Sequence, residues 1–73
     1  MTPVSKQRRL LGEAIRVARK QVGFSQEELA EKAELHPGYV SAVERGVKTI
    51  SVDALARIAR SLNVRVRDLV AEM

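Results

Sequence analysis

The 73-residue chain has no cysteine and no tryptophan, a single tyrosine, a single phenylalanine, two prolines and four glycines. Without cysteine there are neither disulfides nor thiolate zinc sites. Those are usual reinforcements for a domain so small that folding hides only about 60% of its surface. Oligomerisation is the remedy left, and residues 1–73 read as one domain. No apolar run approaches the roughly 18 residues that span a bilayer. The basic start, Met1 to Arg9, is not followed by the apolar stretch of a secretory signal, so the expectation is a cytoplasmic protein without a membrane partner. Nucleophile–base pairs, carboxylate pairs and glycine-rich phosphate loops are missing, which argues against an enzyme. The lone histidine, His36, lacks the cysteines or carboxylates of a metal site, so neither metal nor cofactor is expected. With no second domain in view, no small-molecule effector is expected either, and regulation falls to concentration, dimerisation or a partner.

What is present is charge with a bias. Charged residues make up 30% of the chain and apolar residues 45%, with 13 bases against 9 acids and a net charge of +4. A basic balance on so small a body points to a polyanion, nucleic acid before membrane. Lys6, Arg8, Arg9, Arg16, Arg19 and Lys20 crowd the first segment, and Lys48, Arg57, Arg60, Arg65 and Arg67 the last. Glu27, Glu28, Glu31 and Glu34 sit between them. Taken singly, each of these charges can equally serve to solvate an exposed helix face.

Apolar periodicity predicts an all-α fold of five short helices, over about 5–22, 26–33, 37–45, 52–62 and 66–72. Leu11, Ile15, Ala18 and Val22 recur at helical spacing between the start signal Ser5 and the stop signal Gly23. Ser25 with Glu28 forms a capping box for the second helix, which carries Leu29, Ala30 and Ala33 inward. Pro37 suits the first turn of the third. Val40 and Val43 give that helix an inner stripe, and Gly46 can close it in the left-handed conformation. Ser51 caps the fourth, whose stripe is Val52, Leu55, Ile58, Ala59 and Leu62, and Asn63 ends it. The fifth, with Val66, Leu69 and Val70, has Arg65 where a capping residue belongs.

Two short helices joined by a tight turn, the second led by proline, fit a helix-turn-helix. Ala30 is small where they would cross, and Leu29, Ala33, Val40 and Val43 complete the contact; a helical hairpin in any bundle would use the same residue types. Steps of about 100° place Gly38, Ser41 and Arg45, with Ala42 nearby, opposite that inner stripe. Ser41 can pair with a base edge, Arg45 with guanine or a phosphate, and Ala42 with a thymine methyl. His36 stands at the cap of this helix, where it is either a plain surface cap or a phosphate or base-edge contact. Lys48 and Thr49, just beyond it, are placed for phosphate contacts, which give register rather than sequence. Lys6 to Arg9 read as a basic arm or as a charged helix start.

Three segments resemble the lambda-repressor-like Cro/Xre family of helix-turn-helix regulators. They are Gly23-Phe24-Ser25-Gln26-Glu27-Glu28-Leu29-Ala30, Tyr39-Val40-Ser41-Ala42-Val43-Glu44-Arg45-Gly46 and Ser51-Val52-Asp53-Ala54-Leu55. The resemblance covers about Leu11 to Leu69. His36-Pro37-Gly38-Tyr39 and Glu44-Arg45-Gly46 look most like the stand-alone controller proteins of restriction-modification systems. The resemblance implies a transcriptional regulator whose third helix enters the major groove of double-stranded DNA. It further implies that Gln26 and the Tyr39 hydroxyl bind phosphates, and that Arg19 and Glu44 form a partly buried ion pair. Relatives often carry longer polar side chains where Pro37 and Gly38 stand, so sequence preference would rest on close backbone approach and DNA deformability. Glu34 also departs from the family, which often has glycine at that bend; a left-handed non-glycine residue costs about 1 kcal/mol.

Leu62, Val64, Val66, Leu69, Val70 and Met73 offer more apolar surface than a short terminal segment can bury. They predict a homodimer reading a roughly palindromic operator with half-sites about one helical turn apart, with one or two of them, such as Leu69 or Val66, closing the core of the single chain instead. The alternative is an antitoxin or protein-interaction module of a toxin-antitoxin system, since many antitoxins share this motif.

Overall fold

The computed structural model describes residues 5–73. Among them the chain forms five helices and no strand: α1 Lys6–Gln21, α2 Gln26–Ala33, α3 Pro37–Glu44, α4 Val52–Ser61 and α5 Val66–Val70. The radius of gyration is 11.1 Å, against about 11 Å for a compact chain of this length, so all five helices close on one core. Ile15, Leu29, Val40, Ile58 and Leu62 are fully buried at its centre, one or more from each of α1 to α4 and the residue that ends α4. Each such side chain stabilises the fold by about 1.5–3 kcal/mol relative to exposure. α2 packs on α3 and α4, while α1 runs behind α3 and also carries α5. No helix among the described residues is long and apolar enough to cross a membrane.

The helix starts follow from side chains that accept a backbone N–H. Ser5 accepts from Arg8, Ser25 from Glu28 at 3.0 Å and Ser51 from Ala54 at 3.1 Å. At α3 the cap is His36, whose Nδ1 accepts from the Gly38 N–H at 2.9 Å, with Pro37 in the first turn. Arg65 has no acceptor to offer, and α5 starts only with Asp68 accepting from the Arg65 N–H at 3.1 Å. That half-capped helix spans five residues and ends at Val70, short of the predicted 72; the chain leaves it in a turn closed by the Met73 N–H on the Val70 carbonyl. α3 and α4 end at Glu44 and Ser61, each one residue early, and α1 is one residue shorter at either end. Lys6 to Arg9 lie inside α1, so they are a charged helix start and not an arm.

The helix ends turn through left-handed residues. Gly46, at φ +76°, closes α3. Glu34, at φ 59° and ψ 46°, ends α2, so the bend keeps the left-handed geometry and the glutamate bears its cost. Asn63 does the same after α4 at φ 57°. The feature of α1 that periodicity does not announce is Gly12. It is buried, and a Cβ built there would strike the Val43 carbonyl oxygen and lie 2.6 Å from that of Glu44. Real side chains do not approach so closely, so α1 and the end of α3 touch backbone to backbone because this residue is glycine.

Several apolar residues are not where the stripes put them. Val22 and Val52 are 45% and 82% exposed, not part of the core. Conversely, Leu62 and Leu69, expected in a dimer interface, are 1% and 3% exposed and belong to the core of the single chain. They close α4 and α5 onto α1, which is why a five-residue helix stays in place at all. Val64 and Val70 are half-buried, and Val66 and Met73 remain exposed.

Candidate nucleic-acid interface

α2 and α3, eight residues each, are joined by the three residues from Glu34 to His36. Leu29, Ala30, Ala33, Val40 and Val43 are buried between them and the rest of the core. Ala30, with no exposed surface, leaves room for α3 to lie close. The opposite side of α3 is open: Pro37, Gly38 and Arg45 are exposed, and Ser41 and Ala42 half-buried. Two short helices fixed over a tight bend, with the second presenting one face outward, define a helix-turn-helix.

Behind that face lies the one buried ion pair among the described residues. Arg19 of α1 donates through Nε to Glu44 Oε2 at 2.6 Å and through Nη2 to Oε1 at 3.0 Å. Its Nη1 donates to the Phe24 carbonyl at 2.8 Å, so one guanidinium ties α1, the turn before α2 and the end of α3. Hydrogen bonding to Glu44 pushes the Arg19 pKa further up, against the opposing effect of burial, and the guanidinium stays charged. Gln26 joins it, its Nε2 donating to Glu44 Oε1 at 3.0 Å. The side chain expected on a phosphate is thus braced against α3 with a second amide N–H left over. Arg16, Lys20 and Arg45 line the same cleft, of about 340 Å³, with Arg19, Gln26 and Glu44. Arg16 and Lys20 were legible in the sequence only as general basic charge; their place beside Gln26 depends on how α1 meets α2.

At the other end of α3, the Tyr39 ring is half-buried against the core and its hydroxyl accepts from the Ser51 N–H at 3.1 Å. The phenolic hydrogen is left to donate. Lys48 Nζ lies 5.9 Å from the Tyr39 ring centroid, within cation–π range, and Arg8 Nη1 donates to Thr49 Oγ1 at 3.4 Å. Lys48 and Thr49 are exposed. Arg8, at the start of α1, therefore reaches the loop after α3, a neighbour that sequence distance conceals. His36 is exposed, but with Nδ1 engaged by the cap only Nε2 can meet a ligand. No group of three or more metal-ligating side chains exists among the described residues.

Residues 15–69 match the helix-turn-helix family, and the chain belongs to its Cro/Xre-type DNA-binding transcriptional regulators. The control protein C.BamHI of Bacillus amyloliquefaciens is 38% identical over 63 residues, spanning 85% of this chain and 78% of that protein. The crystal structure of the restriction-modification controller protein C.AhdI from Aeromonas hydrophila superposes with a TM-score of 0.87 at 32% identity, over 89% of this chain and 98% of that one. SinR, the master regulator for biofilm formation, crystallised in complex with DNA, superposes at 0.78 with 37% identity, over 81% of this chain and 95% of that one. These relatives are regulators and controllers, not enzymes.

Proposed function

We propose that this chain is a single DNA-binding domain acting as a homodimeric regulator of the restriction-modification controller type, working in the cytoplasm on a roughly palindromic operator. The observation that carries the reading is the open outer face of α3, flanked at both ends by groups suited to phosphate. Arg45 is the long base-reading side chain on that face, with Ser41 and Ala42 beside it and Pro37 and Gly38 allowing close backbone approach. Gln26, Arg16 and Lys20 hold the backbone on one flank, and Tyr39, Lys48 and Thr49 on the other. The pair Arg19–Glu44 contacts no base; it fixes the tilt of α3 relative to the flanks. The likeness to C.BamHI and C.AhdI supports the controller type, and the SinR complex supports DNA as the ligand.

For the dimer, the apolar surface left on α4, α5 and their ends is the exposed Val52, Val66 and Met73 with the half-buried Val64 and Val70; of these Val70 and Met73 share a groove with Leu55. One reading helix with short side chains covers few base pairs, and a two-fold pair doubles the site. Selection of bound sequences from random duplexes tests the whole reading, with inverted repeats about one helical turn apart as the expected product. Alanine at Arg45, Tyr39 or Gln26 should weaken binding to the selected site while helical content is kept. Affinity should also fall steeply with salt, as phosphate neutralisation requires. Unaltered binding by all three variants, or salt-indifferent binding to a protein in place of DNA, would overturn it.

A further inference from the structure

The side of α1 turned away from α3 carries a groove that the DNA-binding reading does not use. Steps of about 100° per residue put Leu10, Val17 and Gln21 roughly opposite Gly12 and Arg19, the residues that face α3. There α1 and α5 leave a groove of about 380 Å³. Its apolar floor is Leu10, Ala14 and Val17 from α1 with Val64 and Leu69 from the α5 end, and Val17 is 46% exposed. Among the described residues, the charged ones at its rim are Glu13, Asp68 and Glu72, and no base lines it. That is unusual in a chain with 13 bases and 9 acids. Glu13 has an exposed neighbour, Arg16, at 4.0 Å, which screens it weakly, and at that edge Leu10 and Glu13 also border a separate cleft that holds Lys6, Arg9 and Arg45. Asp68 uses one carboxylate oxygen on the Arg65 N–H and keeps the other. On the far side of α5 the second apolar groove, about 230 Å³ and bordered by Val70 and Met73, has the opposite rim, Arg8 and Lys48. One five-residue helix thus separates an acidic groove from a basic one.

We infer that the α1–α5 groove docks a basic amphipathic helix of another protein, one that lays an apolar stripe on Leu10, Val17 and Val64 with lysines or arginines against Glu13, Asp68 and Glu72. Charge complementarity selects that occupant: a helix-in-groove contact takes apolar anchors at three- and four-residue spacing, and bases on its flanks would pair with carboxylates that no base inside the groove meets. From Leu10 to Gln21 the groove wall runs about 16 Å, the length of three helical turns in a partner. The groove lies behind the reading helix, so such a partner is held while α3 occupies DNA. That last point rests on the proposed function; the groove and its occupant do not.

The probe is a labelled synthetic helix with leucines at three- and four-residue spacing among lysines, and its counterpart with glutamate for every lysine. Anisotropy titration should show the lysine peptide binding and the glutamate peptide failing, although the net charges of peptide and protein are both positive. Amide shifts should cluster from Leu10 to Gln21 and from Val64 to Glu72. The exposed double variant Glu13→Lys with Glu72→Lys should weaken the lysine peptide about tenfold and favour the glutamate one, and Val17→Ser should weaken both pairings without altering the melting temperature. Operator DNA, added in excess, should leave the peptide bound. No peptide binding, indifference to charge reversal, shifts on Val66, Val70 and Met73, or loss by Val17→Ser of self-association in place of peptide binding would each overturn the docking surface. Displacement of the peptide by DNA would overturn its placement behind the reading helix, whereas a chain that bound the peptide but no DNA would break only the proposed function.

Discussion

The connection between α1 and α2 and the connection between α4 and α5 are the same turn built from different residues. Val22 and Leu62 both end their helices at φ −92° and ψ −1°. Gly23 and Asn63 follow in the left-handed region, at φ 80° and 57°. Phe24 and Val64 each donate a backbone N–H five residues back, to Arg19 and Ala59 at 3.1 and 3.0 Å. Ser25 and Arg65 then open the next helix, each donating its N–H to a carboxylate three residues on, Glu28 at 2.8 Å and Asp68 at 3.1 Å. The backbone path is thus indifferent to sequence, but what it launches is not. Ser25 returns the hydrogen bond and α2 runs eight residues; Arg65 returns nothing and α5 runs five. The first turn is also clamped by Arg19 on the Phe24 carbonyl, and among the described residues no side chain ties the second in that way. The turn that launches α2 is reinforced by the same guanidinium that holds the end of the reading helix, and the turn that leads to α5 leaves its helix hung on Leu69.

The widest gap between the two turns should come from the clamp. Glu44→Ala leaves the Arg19 guanidinium buried and uncompensated, costing about 3 kcal/mol or more, and amide exchange in α3 should then become as fast as in α5. Denaturant melts that match the parent would refute that account. Gly12→Ala attacks the same clamp through the backbone, forcing α1 off α3. Overpacking outweighs the better helix propensity of alanine, for a net loss of about 1 to 2 kcal/mol, read as a lower denaturation midpoint. In the other turn, Arg65→Ser supplies the missing half of the cap and should stabilise the chain by about 1 kcal/mol. Far-ultraviolet dichroism should gain helix at the same time, and a chain no more stable than the parent would mean that the cap does not limit α5. The smallest effect is acid-dependent. The Ser25 backbone N–H, and then its hydroxyl, hold the Glu28 carboxyl below its ordinary value. A depressed folded-state value means that this stabilisation is present above the unfolded-state value and lost as pH falls through the folded one. The melting-temperature difference between the parent and Glu28→Gln should therefore shrink on acidification below the ordinary carboxylate range.

Much of the fold was legible because its signals are local. Ser5, Ser25 and Ser51 sit next to the helices they start, Pro37 leads α3, and Gly46 and Asn63 end helices where they stand. The helix-turn-helix was legible in the pattern from Gly23 to Gly46, and the family likeness carried Arg19 and Glu44 as a pair. What escaped depends on where helices meet. A stripe on a helical wheel does not tell which of its members overhangs its neighbours, so periodicity points Val22 and Val52 inward although they are exposed. Nor does periodicity separate a dimer face from a closed core for Leu62 and Leu69, since apolar excess at the end of a sequence looks alike in both cases; the packing puts both in the core. Gly12 was invisible because its partners are the carbonyl oxygens of α3, and no residue type in α3 encodes a backbone contact. The cleft of Arg16, Lys20 and Gln26, and the reach of Arg8 to Thr49, likewise need the packing angle of α1.

The position of Tyr39 has a practical consequence. It is the one tyrosine of a chain without tryptophan, and its hydroxyl sits between the Ser51 N–H and the place proposed for a phosphate. Its ultraviolet emission is therefore a built-in optical reporter, free of indole background, of what happens at the foot of α3. A label is unnecessary: operator binding, loosening of the loop that carries Lys48, and unfolding would each change the light from that single ring.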